Sequence, residues 1–428
     1  MNYYSTNNRS HKVSFEEAIF NSLPPDNGLY YPEKIPVLPK GFYDSLKSQS
    51  KTEIAITIAR SFVEHEIQSP ELEKIVRDTV DFEIPLVEVE RNIHSLELFH
   101  GPTWAFKDMG ARFLSRCMSH FTRKNGREVN ILVATSGDTG GAVAAGFHRV
   151  EGVNVTILYP KGKVSDLQQK QLTTWGDNIQ ALEIEGTFDD CQKLVKTAFL
   201  DKELNGKLPL SSANSINIAR LIPQSFYYFY AFQQLESWDN VVISVPSGNY
   251  GNLTAGLFAR RMGLPVQRFI ASSNANKIVP DYLESGDYRP KPSIETYANA
   301  MDVGAPSNFV RMLEYFDGKV ENMRSVISGF SLTDAEILQT MQLCRKDNQY
   351  ILDPHGAIGY RALKEQLKNG ETGVFLETAH PVKFLDVLNK AFSDVPDYSS
   401  KTRDLENKKS VVNAIPNSYD IFREQLLD

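Results

Sequence analysis

One predicted helix start carries residue types that suit covalent chemistry. The segment HGPTWAFKDMGARF, residues 100–113, predicts a helix from Ala105 onward. Lys107 then lies in the first turn, where the partial positive charge of a helix N-terminus disfavours an ammonium group and lowers its pKa. Burial beside Trp104 and Phe106 would add to that effect. A neutral lysine is the nucleophile that forms a Schiff base with an aldehyde, although an exposed lysine early in a helix has the same pattern.

Two loops rich in small residues each follow a predicted strand and precede a predicted helix. They are VATSGDTGGAVAAG, residues 133–146, and ISVPSGNYGNLTAG, residues 243–256. Small residues allow close approach of a ligand, and free N–H groups at a helix start bind anions. One such loop can be only a tight turn, but two suggest two anionic groups or one ligand with two anionic ends. Neither has the Walker or the GxGxxG spacing, which weakens a nucleotide-binding interpretation.

Further polar groups follow other predicted strands. In SSANSINIARLIPQSF, residues 211–226, Asn214, Ser215 and Arg220 offer amide, hydroxyl and guanidinium donors, and arginine suits phosphate capture. An ordinary helix cap would explain part of this set equally well. Lys163 in YPKGKVSDLQ also follows a strand, where charged loop ends are common. No Ser-His-Asp ordering and no HExxH spacing supports a hydrolase or a zinc enzyme, so no metal site is predicted.

The elements that must position these residues alternate between strands and helices from about residue 94. Short β-branched runs such as VNILVATS, VNVTILYP and NVVISVPSG are each followed by a helical pattern. This alternation predicts an α/β fold with parallel sheets, in which ligands bind at the carboxyl ends of the strands. Residues 1–90 read instead as a mostly helical extension without a clear strand pattern.

Composition excludes some classes of protein. The chain has 428 residues, 23% of them charged, and a formal net charge of −7, which argues against a nucleic-acid partner. Three scattered cysteines, Cys117, Cys191 and Cys344, are expected to be reduced, buried thiols. The N-terminus lacks the pattern of a signal peptide, and no apolar run reaches the length of a membrane span. We expect a cytoplasmic protein without a membrane partner.

Seven ordered motifs together resemble the threonine synthase family. They are LELFHGPTWAFKDMGARF, ATSGDTGGAVA, LYPKGKVSDLQ, SANSINIARL, SVPSGNYGNLTAG, DPHGAIGYRAL and ETAHPVKF, and they span about Val13 to Phe384. The chain is most similar to the longer branch of that family, which begins with a VSF…NGLYYP segment. The order and number of these motifs make the resemblance far more specific than a single glycine-rich loop.

The resemblance implies the pyridoxal-phosphate fold type II, which is tryptophan-synthase-β-like. In that fold two parallel-sheet α/β domains hold the cofactor between them. Applied to this chain, it implies an extension over residues 1–90 and a catalytic region over 91–428. The catalytic region would divide into a small subdomain at about 108–210 and a large domain made mainly of about 211–390 and the C-terminal tail.

The resemblance also assigns roles to residues. It implies a carbon–oxygen lyase that converts O-phospho-L-homoserine and water to L-threonine and phosphate, with Lys107 as the Schiff-base lysine. The implied cradle for the cofactor phosphate consists of Gly248, Asn249, Tyr250, Gly251 and Asn252. The implied hydroxyl at the pyridine nitrogen belongs to Thr378, and the implied residue facing the phenolic oxygen is Asp138. Asp138 stands where many relatives have asparagine, and a carboxylate there would repel a phenolate unless one of them holds a proton. The implied substrate-binding residues are Thr135, Ser136, Gly137, Thr139 for the carboxylate and Lys163, Asn214, Ser215, Arg220 for the phosphate.

Two other functions compete with this prediction. One is a different fold type II enzyme, such as a threonine deaminase or a cysteine synthase, whose substrates carry no phosphate. The other is a non-catalytic sensor of the cofactor or of a phosphorylated amino acid. The phosphate-directed residues disfavour the first and Lys107 disfavours the second. The sequence leaves the assembly open between a monomer and a homodimer.

Overall fold

The N-terminal extension combines a small sheet with helices. The structure, a computed structural model, describes residues 1–427, and its first elements are β1 (Tyr3–Ser5), β2 (Asn8–Val13), α1 (Phe15–Asn21), β3 (Tyr30–Pro32), α2 (Lys40–Ser45), α3 (Lys51–Val63) and α4 (Ser69–Thr79). The three strands pair antiparallel in the order β2-β1-β3. The sequence predicted a mostly helical extension but not its strands, because segments of three to six residues are too short to show an alternating pattern.

Strands and helices then alternate as the sequence predicts. The elements from residue 86 to residue 212 are β4 (Leu86–Glu90), β5 (Ile93–Glu97), α5 (Lys107–Asn125), β6 (Val129–Ala134), α6 (Asp138–Phe147), β7 (Val153–Pro160), α7 (Asp166–Thr173), β8 (Ile179–Glu185), α8 (Phe188–Leu200), α9 (Lys202–Lys207) and β9 (Leu210–Ser212). Helix α5 therefore begins at Lys107 itself, two residues later than the predicted start.

The second half of the chain continues the alternation. Its elements are α10 (Ile218–Leu221), α11 (Gln224–Gln234), β10 (Val241–Pro246), α12 (Gly251–Met262), β11 (Val266–Ser273), α13 (Ile278–Ser285), α14 (Phe309–Tyr315), α15 (Val320–Arg324), β12 (Ile327–Ser331), α16 (Asp334–Asn348), α17 (Pro354–Gln366), β13 (Thr372–Glu377), α18 (Leu385–Ala391), α19 (Ser399–Glu406), β14 (Asn413–Pro416) and α20 (Tyr419–Leu427). Short 3-10 helices lie at Leu46–Ser48, Asn299–Met301 and Pro381–Phe384.

Two larger sheets organise these elements. The large sheet has the order β12-β11-β10-β13-β5-β4, and the small sheet has the order β14-β8-β7-β6-β9. Neighbouring strands run parallel throughout, except that β4 is antiparallel to β5. Parallel strands with connecting helices place the loops after β6 and β10 at the carboxyl edges of their sheets, where α/β proteins bind ligands.

The C-terminal tail departs from the predicted domain division. The prediction grouped the tail with the large domain, but β14 pairs with β8 at the edge of the small sheet. Ile415 and Phe422 pack into the same buried cluster as Leu182 and Leu194. The edge of β8 and this apolar cluster explain why the tail returns to the small sheet. The first predicted boundary also shifts, because β4 begins at Leu86 and already belongs to the large sheet.

Buried groups link the units of the fold into shared cores. One hydrophobic cluster contains residues of the extension, of α5 and of the large sheet. Cys117, Cys191 and Cys344 are buried and form no disulfide. Within residues 1–427, no helix has both the length and the apolar composition that a bilayer crossing requires.

A buried arginine ties the extension to a polar loop of the catalytic region. Arg311 is fully buried, and its guanidinium donates to the backbone carbonyl of Tyr30 in β3 at 3.0 Å. It also donates to the carbonyls of Ser215 and Ile216 and to the side-chain oxygen of Asn308. Burial lowers the pKa of Arg311 to about 9, yet the group keeps its charge at neutral pH. Neutral acceptors therefore solvate this charge in place of water.

A second contact joins the same two regions. The side-chain amide of Asn217 donates to the carbonyl of Ile19 at 2.8 Å, and the hydroxyl of Ser211 donates to the same oxygen at 3.2 Å. Ser22 accepts from the backbone N–H of Ser212. The end of α1 thus holds the segment between β9 and α10 in place.

We expect Arg311→Met to destabilise the protein strongly. Methionine fills a similar volume but leaves several buried carbonyl groups without donors, so the free energy of unfolding should fall by about 3 kcal/mol. Urea unfolding followed by circular dichroism measures the change. Arg289→Met is the matched control, because Arg289 is exposed and pairs only with Asp287 nearby on the surface. Equal free energies of unfolding for the two variants would contradict the conclusion that Arg311 ties the extension to the catalytic region.

Candidate active site

Two distant loops pair with each other where α5 begins. The backbone N–H of Phe106 donates to the carbonyl of Thr378 at 2.8 Å, and the N–H of His380 donates to the carbonyl of Trp104 at 3.0 Å. Ala105 and Ala379 form the antiparallel bridge between these bonds. The start of α5, and with it Lys107, is therefore fixed to the loop that follows β13 of the large sheet.

Side chains also hold the loop before α5 in place. Asp108 is buried, and its carboxylate accepts from both the backbone N–H and the hydroxyl of Thr103. The carbonyl of Thr103 in turn accepts from Gln171 at 3.1 Å. Gly101 is required here, because a Cβ atom at this position would lie 2.5 Å from an oxygen of Asp108. The loop before Lys107 is thus rigid on both its backbone and its side-chain faces.

The Lys107 amine is poised to lose its proton. Burial is the largest cause of a lowered pKa, Asp138 opposes it, and the positive charges of Lys383 and Arg220 add to it, so that the pKa falls from 10.5 to about 8. The expected direction of the pKa shift is confirmed. Phe106 contributes an aromatic ring 5.7 Å from the amine, whereas the ring of Trp104 faces Lys401.

Asp138 forms a buried ion pair that the sequence prediction did not include. One of its carboxylate oxygens lies 2.7 Å from the Nζ atom of Lys383, and the same oxygen accepts from Gln168 at 3.0 Å. Burial opposes ionisation of Asp138, but the charges of Lys383 and then Lys107 outweigh it and hold its pKa well below the usual range. Asp138 is therefore an ionised carboxylate at the first position of α6.

The loop before α6 exposes donors to a ligand. Within residues 1–427, the backbone N–H groups of Ser136, Asp138 and Thr139 have no acceptor. Thr135 is buried, and its hydroxyl accepts from the N–H groups of Gly137 and Gly140, so it shapes the loop. The prediction that Thr135 contacts a substrate is not supported by this geometry. Gly137 has φ = +134°, and a Cβ there would lie 2.5 Å from the side chain of Gln168.

The loop before α12 is a second and larger set of free donors. In the part of the chain that the structure describes, none of the backbone N–H groups of residues 248–252 donates to an acceptor. Tyr250 adopts the left-handed conformation with φ = +57°, which turns successive N–H groups toward one side of the loop. Such an array at a helix N-terminus binds an anionic group.

The side chains of this second loop serve its shape. The amide oxygen of Asn249 accepts from Ser307 at 3.0 Å, and the hydroxyl of Tyr250 bonds to Ser273. Asn252 is buried, and its side-chain amide donates to the carbonyl of Pro246. The Asn252 side chain is therefore held within its own loop, and its backbone N–H is the group that it offers to a ligand.

The predicted phosphate-binding residues are only partly free. Arg220 is buried, donates to the carbonyl of Ala213 and leaves its Nε atom without a partner. The Asn214 side chain donates to the carbonyl of Ala134 and so ties this segment to the loop after β6. Ser215 lies beside the second loop, because a Cβ atom built on Gly251 would be 3.8 Å from the Cβ atom of Ser215.

Lys163 lies at the mouth of an open cleft. The cleft has a volume of about 1080 Å³, and Ser136, Gln168 and Lys383 form part of its lining. Lys163 is exposed, and its amine lies 3.1 Å from Glu295 on the opposite wall. It is therefore engaged by a surface carboxylate.

The structure adds residues that the sequence reasoning missed. The carbonyl of Thr378 accepts from the N–H of Phe106 just before α5, and the Thr378 hydroxyl has no bonding partner among residues 1–427. Lys383 and Gln168 were not predicted as site residues, although both lie in the motifs that carried the resemblance. A lysine between apolar neighbours, as in HPVKFL, was the available signal for Lys383.

Comparison with protein-family models identifies three matches. Residues 84–378 match a pyridoxal-phosphate dependent enzyme model, residues 2–80 match a threonine synthase N-terminus model and residues 356–425 match a threonine synthase C-terminal model. The threonine synthase of Haemophilus influenzae is 47% identical over 392 residues, which cover 91% of each chain.

Solved structures give the same result. The chain is similar to the crystal structure of threonine synthase from Escherichia coli, with a TM-score of 0.94, 40% identity and coverage of 100% and 99% of the two chains. It is also similar to the pyridoxal-phosphate-bound threonine synthase of Brucella melitensis, with a TM-score of 0.95, 36% identity and coverage of 100% and 98%. These comparisons confirm the predicted fold type II class.

We expect Lys107 to react as an amine of low pKa. In cofactor-free protein, the rate of acetylation of Lys107 by acetic anhydride should reach half its maximum near pH 8, because only the neutral amine reacts. Exposed Lys124, on the same helix, is the internal reference for the labelling of an accessible lysine. Peptide mass spectrometry after short labelling at several pH values measures both lysines. A shared midpoint near pH 10.5 would contradict the desolvated setting of Lys107.

Proposed function

The chain belongs to the threonine synthase family of pyridoxal-phosphate-dependent enzymes, and we propose that it converts O-phospho-L-homoserine and water to L-threonine and phosphate. The observation that supports this most directly is the desolvated Lys107 amine, which lacks any hydrogen-bond partner among residues 1–427. An amine in that state suits a covalent bond to an aldehyde. The phosphate-directed residues favour this substrate over those of a threonine deaminase or a cysteine synthase.

The residues of the site fit pyridoxal phosphate, the cofactor of the family. The free N–H groups of residues 248–252 would hold its phosphate, and the unpaired hydroxyl of Thr378 would face its ring nitrogen. Lys107 would hold its aldehyde carbon. When bound, the cofactor supplies an electron sink for carbanions next to the substrate's amino group. A neutral hydroxyl at the ring nitrogen, rather than a carboxylate, leaves that nitrogen largely unprotonated.

Lys107 would perform the proton transfers of the reaction. About a tenth of a lysine with a pKa near 8 is neutral at pH 7, far more than for an ordinary lysine. This amine would remove a proton from the α-carbon and then one from the β-carbon of the substrate. The bond from the γ-carbon to the phosphate oxygen breaks, and protons return to the γ-carbon and the α-carbon. The hydroxyl of water bonds to the β-carbon, and the remaining proton of water leaves on the phosphate.

Two regions orient the substrate. The free N–H groups of Ser136 and Thr139, with their hydroxyls, would hold the carboxylate. Arg220 would hold the phosphate through its guanidinium group, with Ser215 beside it. Asn214 acts indirectly, because its amide is committed to Ala134. Lys163 joins only if it leaves Glu295, which a dianionic phosphate entering the cleft would favour.

The function rests on Lys107, so Lys107→Ala is the first test. The purified wild-type protein should be yellow after incubation with the cofactor and should release phosphate and threonine in equal amounts from O-phosphohomoserine. Lys107→Ala should lose the visible absorbance above 400 nm that depends on the lysine bond, together with at least about 10³-fold of the activity. Lys124→Ala, at the exposed end of the same helix, is the control. A colourless wild type, or phosphate release without threonine, would refute the proposal.

Arg220→Met tests the phosphate site. Loss of a charge-assisted hydrogen bond should raise KM for O-phosphohomoserine at least about tenfold and weaken inhibition by inorganic phosphate in parallel. Cofactor absorbance should persist, because the cofactor phosphate is assigned to another loop. Arg123→Met, an exposed change on α5, should behave as wild type. Unchanged KM and unchanged phosphate inhibition would remove Arg220 from the substrate site.

A cytoplasmic location, the absence of a nucleic-acid partner and a monomeric or homodimeric assembly stay predictions. The predicted domain limit near residue 210 also stays a prediction.

A further inference from the structure

Lys383 is the buried cation whose role the reaction does not yet explain. Its side chain is fully enclosed, and its Nζ atom lies 2.7 Å from the Asp138 carboxylate and donates to the carbonyl of Thr103 at 3.0 Å. The first contact reaches the start of α6, and the second reaches the loop that precedes Lys107. One ammonium group therefore connects three segments that converge on the site.

The charges around Lys107 show why this ammonium matters. Asp138 faces it from α6, Lys383 from the 3-10 helix after β13 and Arg220 from α10. Asp108 on the same helix is committed to Thr103, and burial raises its pKa. Asp138 is thus the carboxylate whose charge stabilises protonated Lys107. A carboxylate within a few ångströms raises the pKa of a lysine, which would oppose its use as a nucleophile.

We propose that Lys383 is a positioning residue, which engages Asp138 as its own ion-pair partner and so keeps that carboxylate from forming a salt bridge with the Lys107 amine. The inference rests on the proposed function, because it concerns the amine that binds the cofactor. It also accounts for the carboxylate at residue 138. An ionised Asp138 needs a compensating cation, and without Lys383 the nearest candidate is Lys107 itself.

The second contact of Lys383 supports the same role. Its bond to the carbonyl of Thr103 holds the loop that carries Lys107 at a fixed distance from α6. Gln168 donates to the same Asp138 oxygen that faces Lys383, which restricts the carboxylate from turning away. Both contacts hold Asp138 on the Lys383 side of the site.

This arrangement predicts the direction in which each substitution shifts the pKa of Lys107. Removing the positive charge with Lys383→Met frees Asp138 to pair with protonated Lys107, so the pKa of Lys107 should rise. Removing the negative charge with Asp138→Asn leaves two neighbouring cations unopposed, so the pKa of Lys107 should fall. The double variant removes both charges and should return the pKa toward the wild-type value. Lys383→Arg keeps the charge and should change little.

The pH dependence of Lys107 acetylation in cofactor-free protein tests the inference. We expect the labelling midpoint to rise by about one pH unit or more in Lys383→Met and to fall by a similar amount in Asp138→Asn. The double variant and Lys383→Arg should lie within about half a unit of wild type. Lys364→Met is the matched control, because Lys364 pairs with Glu90 on the surface of α17. Circular dichroism verifies that each variant is folded.

The acid limb of kcat/KM should move in the same direction as the labelling midpoint. If Lys383→Met does not fold, the Asp138→Asn variant and the double variant still test the inference, because their new side chains nearly keep the shape of the original ones. Unchanged midpoints in all folded variants overturn the inference. If the midpoints do not move while colour and activity still depend on Lys107, the inference alone fails. If the midpoints move but Lys107→Ala keeps the colour, the proposed function fails instead.

Discussion

The backbone pairing between residues 104–106 and residues 378–380 is the constraint on which the site depends. It joins the loop before α5 to the loop after β13, although more than 270 residues separate them in the chain. Because α5 then leads to the small sheet while β13 belongs to the large one, Lys107 is fixed at the point where the two units meet. A helix start that was held only by its own cap could move with the small sheet and lose its alignment.

Burial of positive charge is the second organising feature. Lys383, Arg220 and Arg311 are buried and Lys107 is half-buried, and Asp138 is the ionised carboxylate that pairs with Lys383. Backbone carbonyls and amide oxygens take the place of further carboxylates, which keeps the site electropositive. Burying these positive charges costs free energy in the cofactor-free protein. It suits a cofactor and a substrate that both carry phosphate, because each anion supplies the negative charge that the site lacks.

Sequence patterns predicted the order of strands and helices and the two anion-binding loops, because periodicity and glycine-rich helix starts are local properties. They did not predict which donors remain free. Asn252 and Thr135 looked like ligand contacts, but both bond to their own loops, and only three-dimensional hydrogen bonding shows this. Lys383 was missed because its partner Asp138 lies 245 residues earlier, in another unit of the fold. The tail was misplaced for a similar reason, since the unpaired edge of β8 is a property of the assembled sheet.

The N-terminal extension also helps to position the residues of the site. A cap that only covered the core would contact the catalytic region through apolar groups, as much of the extension does. Instead, the carbonyls of Ile19 and Tyr30 receive directed hydrogen bonds from Asn217 and Arg311. Arg311 also holds the carbonyls of Ser215 and Ile216, just before the helix that carries Arg220. Because hydrogen bonds fix direction as well as distance, a shift of the extension would be transmitted to Ser215, beside the loop of residues 248–252. The extension therefore sets the spacing between the donors assigned to the substrate phosphate and those assigned to the cofactor phosphate.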